Sequence, residues 1–195
     1  SELNPIDKEF TRTYEDARVG PKGGLVILTK KEPKEIQFYK YKEQGSIFSL
    51  QFFDRLLEKG VLVAQFDDLI LINTHLISPY NSDINGTDYK HNIKQFYELF
   101  DIVEEEIKKN KTIILAGDFN FNEDSVQFKE ITTLLEDKTS DLSGRIDHGS
   151  MQKQIDFIFA SEGVVENKAV NIPEIFLSDH PGISTKINFI LKALN

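Results

Sequence analysis

Short apolar runs bounded by turn residues recur along the chain, and one long polar-apolar stretch with helical spacing interrupts them. Residues 23–29 read as a strand, and residues 34–41 alternate as its partner, with Lys30-Lys31-Glu32-Pro33 as the turn. Residues 61–66 and 69–74 are two further strands, joined at Asp67-Asp68 in a tight hairpin. Within 88–109, Ile93, Phe96, Tyr97, Phe100, Val103 and Ile107 fall on one stripe and predict an amphipathic helix. A strand over 112–116 follows, then a second helix over 125–136 with Phe128, Ile131, Leu134 and Leu135 on its apolar side. Strands over 154–160, 164–172 and 183–190 complete the pattern. Residues 1–22 are polar with little periodicity and predict an irregular lead-in to a single domain over 23–195. Many strands with two helices between them predict stacked sheets flanked by helices, an α/β (α+β) architecture.

Several of these strands end in, or contain, groups a core does not want. The run Ile113-Ile114-Leu115-Ala116 leads into Gly117-Asp118-Phe119-Asn120. Residues two apart share a face of a strand, so Asp118 and Asn120 are expected to point the same way at its exit. Gly117 permits close approach of another segment. Asp-Phe-Asn alone is also a sequence that begins a turn. The run at 69–76 ends at His75, the run at 154–159 contains Asp156, and Asp179-His180-Pro181 stands before the final strand. Such groups at apolar strand ends are costly unless they meet and satisfy one another. Asp179 before His-Pro is equally a turn former. The remaining histidines, His91 on the polar side of the long helix and His148 in a Gly/Ser-flanked loop, read as solvated, as do runs such as Lys30-Lys31-Glu32 and Glu104-Glu105-Glu106.

In this order, Asn73-Thr74-His75-Leu76, Gly117-Asp118-Phe119-Asn120, Ile155-Asp156-Phe157-Ile158-Phe159 and Ser178-Asp179-His180 resemble the endonuclease/exonuclease/phosphatase family, the superfamily of deoxyribonuclease I, sphingomyelinases, inositol polyphosphate phosphatases and deadenylases. Gly23-Gly24-Leu25-Val26-Ile27-Leu28-Thr29 is similar to a core strand of that family. The resemblance implies a four-layer αββα sandwich with the active site where strand ends of both sheets converge. It implies a phosphoesterase that uses Mg²⁺ (or Mn²⁺ or Ca²⁺). Imidazole titrates near neutral pH, which suits His180 as general base, with Asp156 fixing its tautomer. Asp118 would bind or orient the water or a metal, and Asn120 would donate its amide to a phosphate oxygen. Asp179 is a hard oxygen ligand for the cation. His75 would stabilise the phosphate or protonate the leaving group.

Members of the family also carry two earlier strands, one ending in an asparagine and one bearing a metal-binding glutamate in a Gln-Glu pair. The residues before Gly23 contain Glu2, Glu9 and Glu15 but no such pair. The expectation is an N-terminally incomplete fold, a sheet edge covered by a missing segment or a partner chain, or a protein that has lost catalysis.

Composition narrows the reading. The 195 residues carry a formal net charge of −9, against a general nucleic-acid clamp, which needs a basic stripe. A phosphodiester substrate stays open, because a divalent cation supplies positive charge at the site. Zero cysteines exclude thiolate ligands, a cysteine nucleophile and disulfides. No apolar run approaches a membrane span. The histidine of Asn-Thr-His-Leu differs from the tyrosine usual in the apurinic endonuclease branch, so a phospholipid or related small phosphodiester is favoured, with a nuclease and a non-catalytic binding protein as alternatives.

Overall fold

The alternation of residues 60–75 builds the centre of the molecule. In a computed structural model, which describes residues 11–14, 24–45, 58–79, 86–140, 154–166, 170–172 and 182–188, these residues form a hairpin. In chain order the elements are β1 (Thr11–Tyr14), β2 (Val26–Thr29), β3 (Glu35–Lys40), β4 (Gly60–Gln65), β5 (Leu69–His75), α1 (Thr87–Ile107), β6 (Thr112–Asp118), α2 (Val126–Ile131) and β7 (Glu136–Asp137). Then come β8 (Asp156–Ala160), β9 (Val165–Glu166), β10 (Val170–Ile172), β11 (Gly182–Ser184) and β12 (Ile187–Asn188).

Six strands form one sheet in the order β3-β4-β5-β6-β8-β7. Among the described strands only the β5–β6 pair is parallel, with α1 as its crossover. On one face, Val61, Val63, Ile70, Ile72, Ile113, Leu115, Phe157 and Phe159 pack with Phe96, Leu99 and Val103 of α1 and Ile131 of α2. On the other, Leu62 and Ala64 pack against Leu25 and Ile27, which come from β2 and its approach. The β-strand period of two therefore separates a helix-covered face from one covered by further strands. The paired strands β1–β2, β10–β11 and β9–β12 lie outside the main sheet. Among the described residues helices cover one face of the main sheet, and the second helix layer of the expected four-layer sandwich is not among them.

Several expectations need correcting. β3 pairs with β4, not with β2. Gln44 helps close this hairpin: its amide donates to the carbonyls of Tyr41 and Lys59, and its Oε1 accepts from the Lys59 N–H. The partner of β2 is instead β1, so part of the expected irregular lead-in is a strand. The second helix stops at Ile131, five residues early by the expected boundary at Glu136. Its start is capped by Ser125, whose Oγ accepts from the Phe128 N–H at 3.1 Å. At its end the Thr132 and Thr133 hydroxyls donate back to the Phe128 and Glu130 carbonyls at 2.9 and 2.7 Å, and Glu136 leaves to pair with β8. The strand expected over 164–172 is divided between β9 and β10, which join different partners.

The buried face of α1 is rotated from the predicted stripe. It comprises Asn92, Gln95, Phe96, Leu99, Val103 and Glu106, while Tyr97 is 45% exposed. Glu106, expected on a solvated face, is buried and ion-paired with Lys109 at 2.8 Å. His91 is not solvated either, since its ring lies against the Glu43 carboxylate with Nδ1 to Oε1 at 2.8 Å.

Candidate active site

Strand pairing places three of the candidate residues in one row. His75 ends β5 and Asp118 ends β6; because these strands are parallel and in register, the two residues are direct neighbours. Asp156 opens the antiparallel strand β8 opposite Asp118. All three therefore stand at one end of these central strands. By the strand period they share the face of Leu71 and Asn73, toward β2, whose Val26 carbonyl accepts from the Asn73 amide at 3.2 Å.

Gly117 makes this approach feasible. A Cβ at this position would collide with the Thr74 carbonyl oxygen, so only a residue without a side chain lets β5 and β6 meet next to the His75–Asp118 pair. Thr74 is buried, and its Oγ1 lies 2.6 Å from the fully buried Tyr41 hydroxyl and donates to the Gly60 carbonyl at 3.1 Å. Burial pushes the Tyr41 phenol far above its ordinary range, so it stays a neutral hydrogen-bonding group.

The turn after β6 is held from several sides. Asp118 Oδ1 accepts from the Asn120 N–H at 2.9 Å, and its Oδ2 lies 3.5 Å from His75 Nε2, within ion-pair reach of a protonated imidazole. Asp118 thus begins a turn and also faces the histidine. Phe119 points into the core with no exposure, packed edge-on against Phe159 at 5.3 Å between ring centres. Its N–H donates to the Ile155 carbonyl at 2.9 Å, extending the pairing toward Asp156. Asn120 has φ of 52°, a left-handed conformation asparagine tolerates, and its amide donates to the Leu76 carbonyl at 3.0 Å. The Leu76 N–H in turn donates to the Asp118 carbonyl at 3.0 Å.

The row offers an imidazole that is 38% exposed, a carboxylate that is 18% exposed beside it, a second carboxylate, and a carboxamide fixed at one hydrogen. Asp179 and His180 lie outside the described residues, as do His148 and Glu2, Glu9 and Glu15. Among the described residues no group of three or more His, Cys, Asp or Glu side chains could hold a metal ion. Sequence reasoning missed Asn92 and Gln95, buried polar side chains of α1 that reach the backbone behind His75 and Asp118. Their signal was present as two amides spaced three apart beside an apolar stripe.

Residues 3–180 match the family model described as Endonuclease/Exonuclease/phosphatase family. The chain belongs to that family. Its fold is the mixed α/β, deoxyribonuclease I-like one. The 3'-5' exonuclease from Neisseria meningitidis superposes with a TM-score of 0.67 at 14% identity, over 94% of this chain and 81% of that one. The beta toxin from Staphylococcus aureus does so with a TM-score of 0.62 at 22% identity, over 85% and 69%. An inositol phosphosphingolipids phospholipase C from Schizosaccharomyces pombe is 27% identical over 129 residues, which are 64% of this chain. The chain spans 30% of the length of that curated relative.

Proposed function

We propose that this member of the endonuclease/exonuclease/phosphatase family is a divalent-metal-dependent phosphoesterase that cleaves a phosphodiester by in-line attack of an activated water. The observation that carries the reading is the row of His75, Asp118 and Asp156 across three adjacent strand ends. Two carboxylates directly opposite each other in a ladder repel, so this end of the strands favours positive charge beside it.

The donor chemistry fits Mg²⁺, which takes one or two carboxylates and completes its shell with water and substrate oxygens. Asp118 and Asp179 are the residues that would hold it. A bound cation would supply counter-charge for the phosphoryl oxygens. His75 stabilises the phosphate or delivers a proton to the leaving oxygen. Asn120 donates an amide hydrogen to a phosphoryl oxygen, the other being engaged by Leu76. His180 takes the proton of the attacking water, and Asp156 orients its ring.

A phospholipid-type substrate is favoured by the likeness to the phospholipase C acting on inositol phosphosphingolipids and by the net charge of −9. The experiment compares hydrolysis of bis-p-nitrophenyl phosphate, a sphingolipid phosphodiester in mixed micelles and a single-stranded oligonucleotide. Each is run with Mg²⁺ and with EDTA, beside Asp118→Asn and His180→Ala. Mg²⁺-dependent turnover of the lipid, lost in both variants, is the expected result. Preference for the oligonucleotide makes it a nuclease, and no turnover by folded protein makes it a binding protein.

A further inference from the structure

We infer that Asn92, a residue of α1 outside the proposed catalytic set, is a positioning residue that locks the turn after His75 to the turn after Asp118. Asn92 is fully buried. Its amide nitrogen donates to the Ile77 carbonyl at 2.7 Å and to the Phe119 carbonyl at 3.1 Å. Ile77 lies two residues beyond His75, and Phe119 lies between Asp118 and Asn120. One side chain therefore spans the two segments that carry the imidazole, the carboxylate and the carboxamide.

Its neighbours hold it in that orientation. Gln127 of α2 donates to Asn92 Oδ1 at 3.2 Å, which leaves the Asn92 nitrogen aimed at the two carbonyls. Gln95, one turn along α1, accepts the Ile77 N–H through Oε1 at 2.8 Å and donates to the Glu43 carbonyl at 2.8 Å. Both polar groups of the Ile77 peptide position are thus claimed by α1. Two carbonyls in the helix-facing layer need donors there, and the two N–H groups of one carboxamide serve both without burying a charge. A hydrophobic residue at 92 would leave the Ile77 and Phe119 carbonyls without this shared donor, and the two turns would be joined only through Leu76, Asp118 and Asn120.

The role in catalysis rests on the phosphoesterase reading; the coupling between the turns does not. The test uses Asn92→Ala and Asn92→Ser, with Ile131→Val as a core variant outside the two turns. Hydrogen exchange is read at the Leu76 N–H, bonded to the Asp118 carbonyl, and at the Asn120 N–H, bonded to the Asp118 carboxylate. Both Asn92 variants are expected to speed exchange at these two amides by about tenfold or more while Ile131→Val leaves them at the wild-type rate. Turnover of the substrate the wild type accepts should fall about ten- to hundredfold in kcat with KM held within about twofold. If the wild type proves inactive, the exchange rates decide alone: faster exchange upholds the coupling while the phosphoesterase reading fails. Unchanged exchange in a folded Asn92 variant, or equal exchange in Ile131→Val, overturns it. Should Asn92→Ala not fold, Asn92→Ser gives the same readings with a smaller vacancy.

Discussion

Asp118 and His75 end two parallel strands as register partners, with Oδ2 of one 3.5 Å from Nε2 of the other. Asp156 stands on the far side of Asp118 in the neighbouring antiparallel strand, so the central carboxylate has an imidazole on one flank and a like charge on the other. A sheet optimised for stability alone avoids that pairing. Its presence at a strand end, close to the surface, separates what this end does from what holds the fold together.

The first prediction follows from that separation. Asp118→Asn keeps an oxygen for the Asn120 N–H but removes the charge, so folding stability should change by less than about 1 kcal/mol, relief of repulsion with Asp156 offsetting the lost attraction to His75. Phosphodiester turnover should fall about a hundredfold or more. Urea unfolding and kinetics on one preparation check both; a large stability loss would mark Asp118 as structural.

Gly117→Ala should act in the opposite way. The new methyl meets the Thr74 carbonyl in the parallel pair, and the backbone, unlike a flexible side chain, cannot swing aside. Destabilisation of about 1–3 kcal/mol is expected by urea unfolding, with activity reduced because β5 and β6 are forced apart where they carry the site. A variant of wild-type stability would show that the pair adjusts freely.

The buried Tyr41–Thr74 contact predicts an asymmetry. Tyr41→Phe leaves the Thr74 hydroxyl its bond to the Gly60 carbonyl, and should cost about 1 kcal/mol. Thr74→Val strands the phenol in the core without that partner, and the Gly60 carbonyl loses its side-chain donor, so the cost should be about 2–3 kcal/mol. Equal losses in denaturant titrations would contradict this account of the pair.

Glu43 predicts a pH dependence. Burial alone pushes its carboxyl up, but the Lys94 ammonium at 3.0 Å, the Gly45 N–H at 3.0 Å and His91 together carry it below its ordinary value. A depressed folded pKa contributes stability that is present above the unfolded value and lost as pH falls through the folded one. Glu43→Gln should therefore be less stable than wild type by about 1 kcal/mol near pH 7. The gap should close below the ordinary glutamate value of 4.5. Thermal melts across pH 3–7 check it, and a gap that persists in acid would refute the assignment.

The chain by itself determined where most strands lie and which of their ends carry ionisable groups. Apolar runs stopped by Gly117-Asp118 or Thr74-His75 are local signals, because side chains alternate every two residues and turns need particular residues. The long helix was legible from its own local period of about 3.6 residues. Its buried face was not, because Asn92 and Gln95 are polar and their burial is explained only by carbonyls and N–H groups far along the chain. Only the tertiary structure chose β4 rather than β2 as the partner of β3, since a strand's hydrogen-bonding edge does not name its neighbour. Register was likewise decided by packing on both faces of the sheet, and a slip of one residue would have turned Asp118 toward the helices. The residues of the row are readable in the sequence; their standing side by side is a property of the fold.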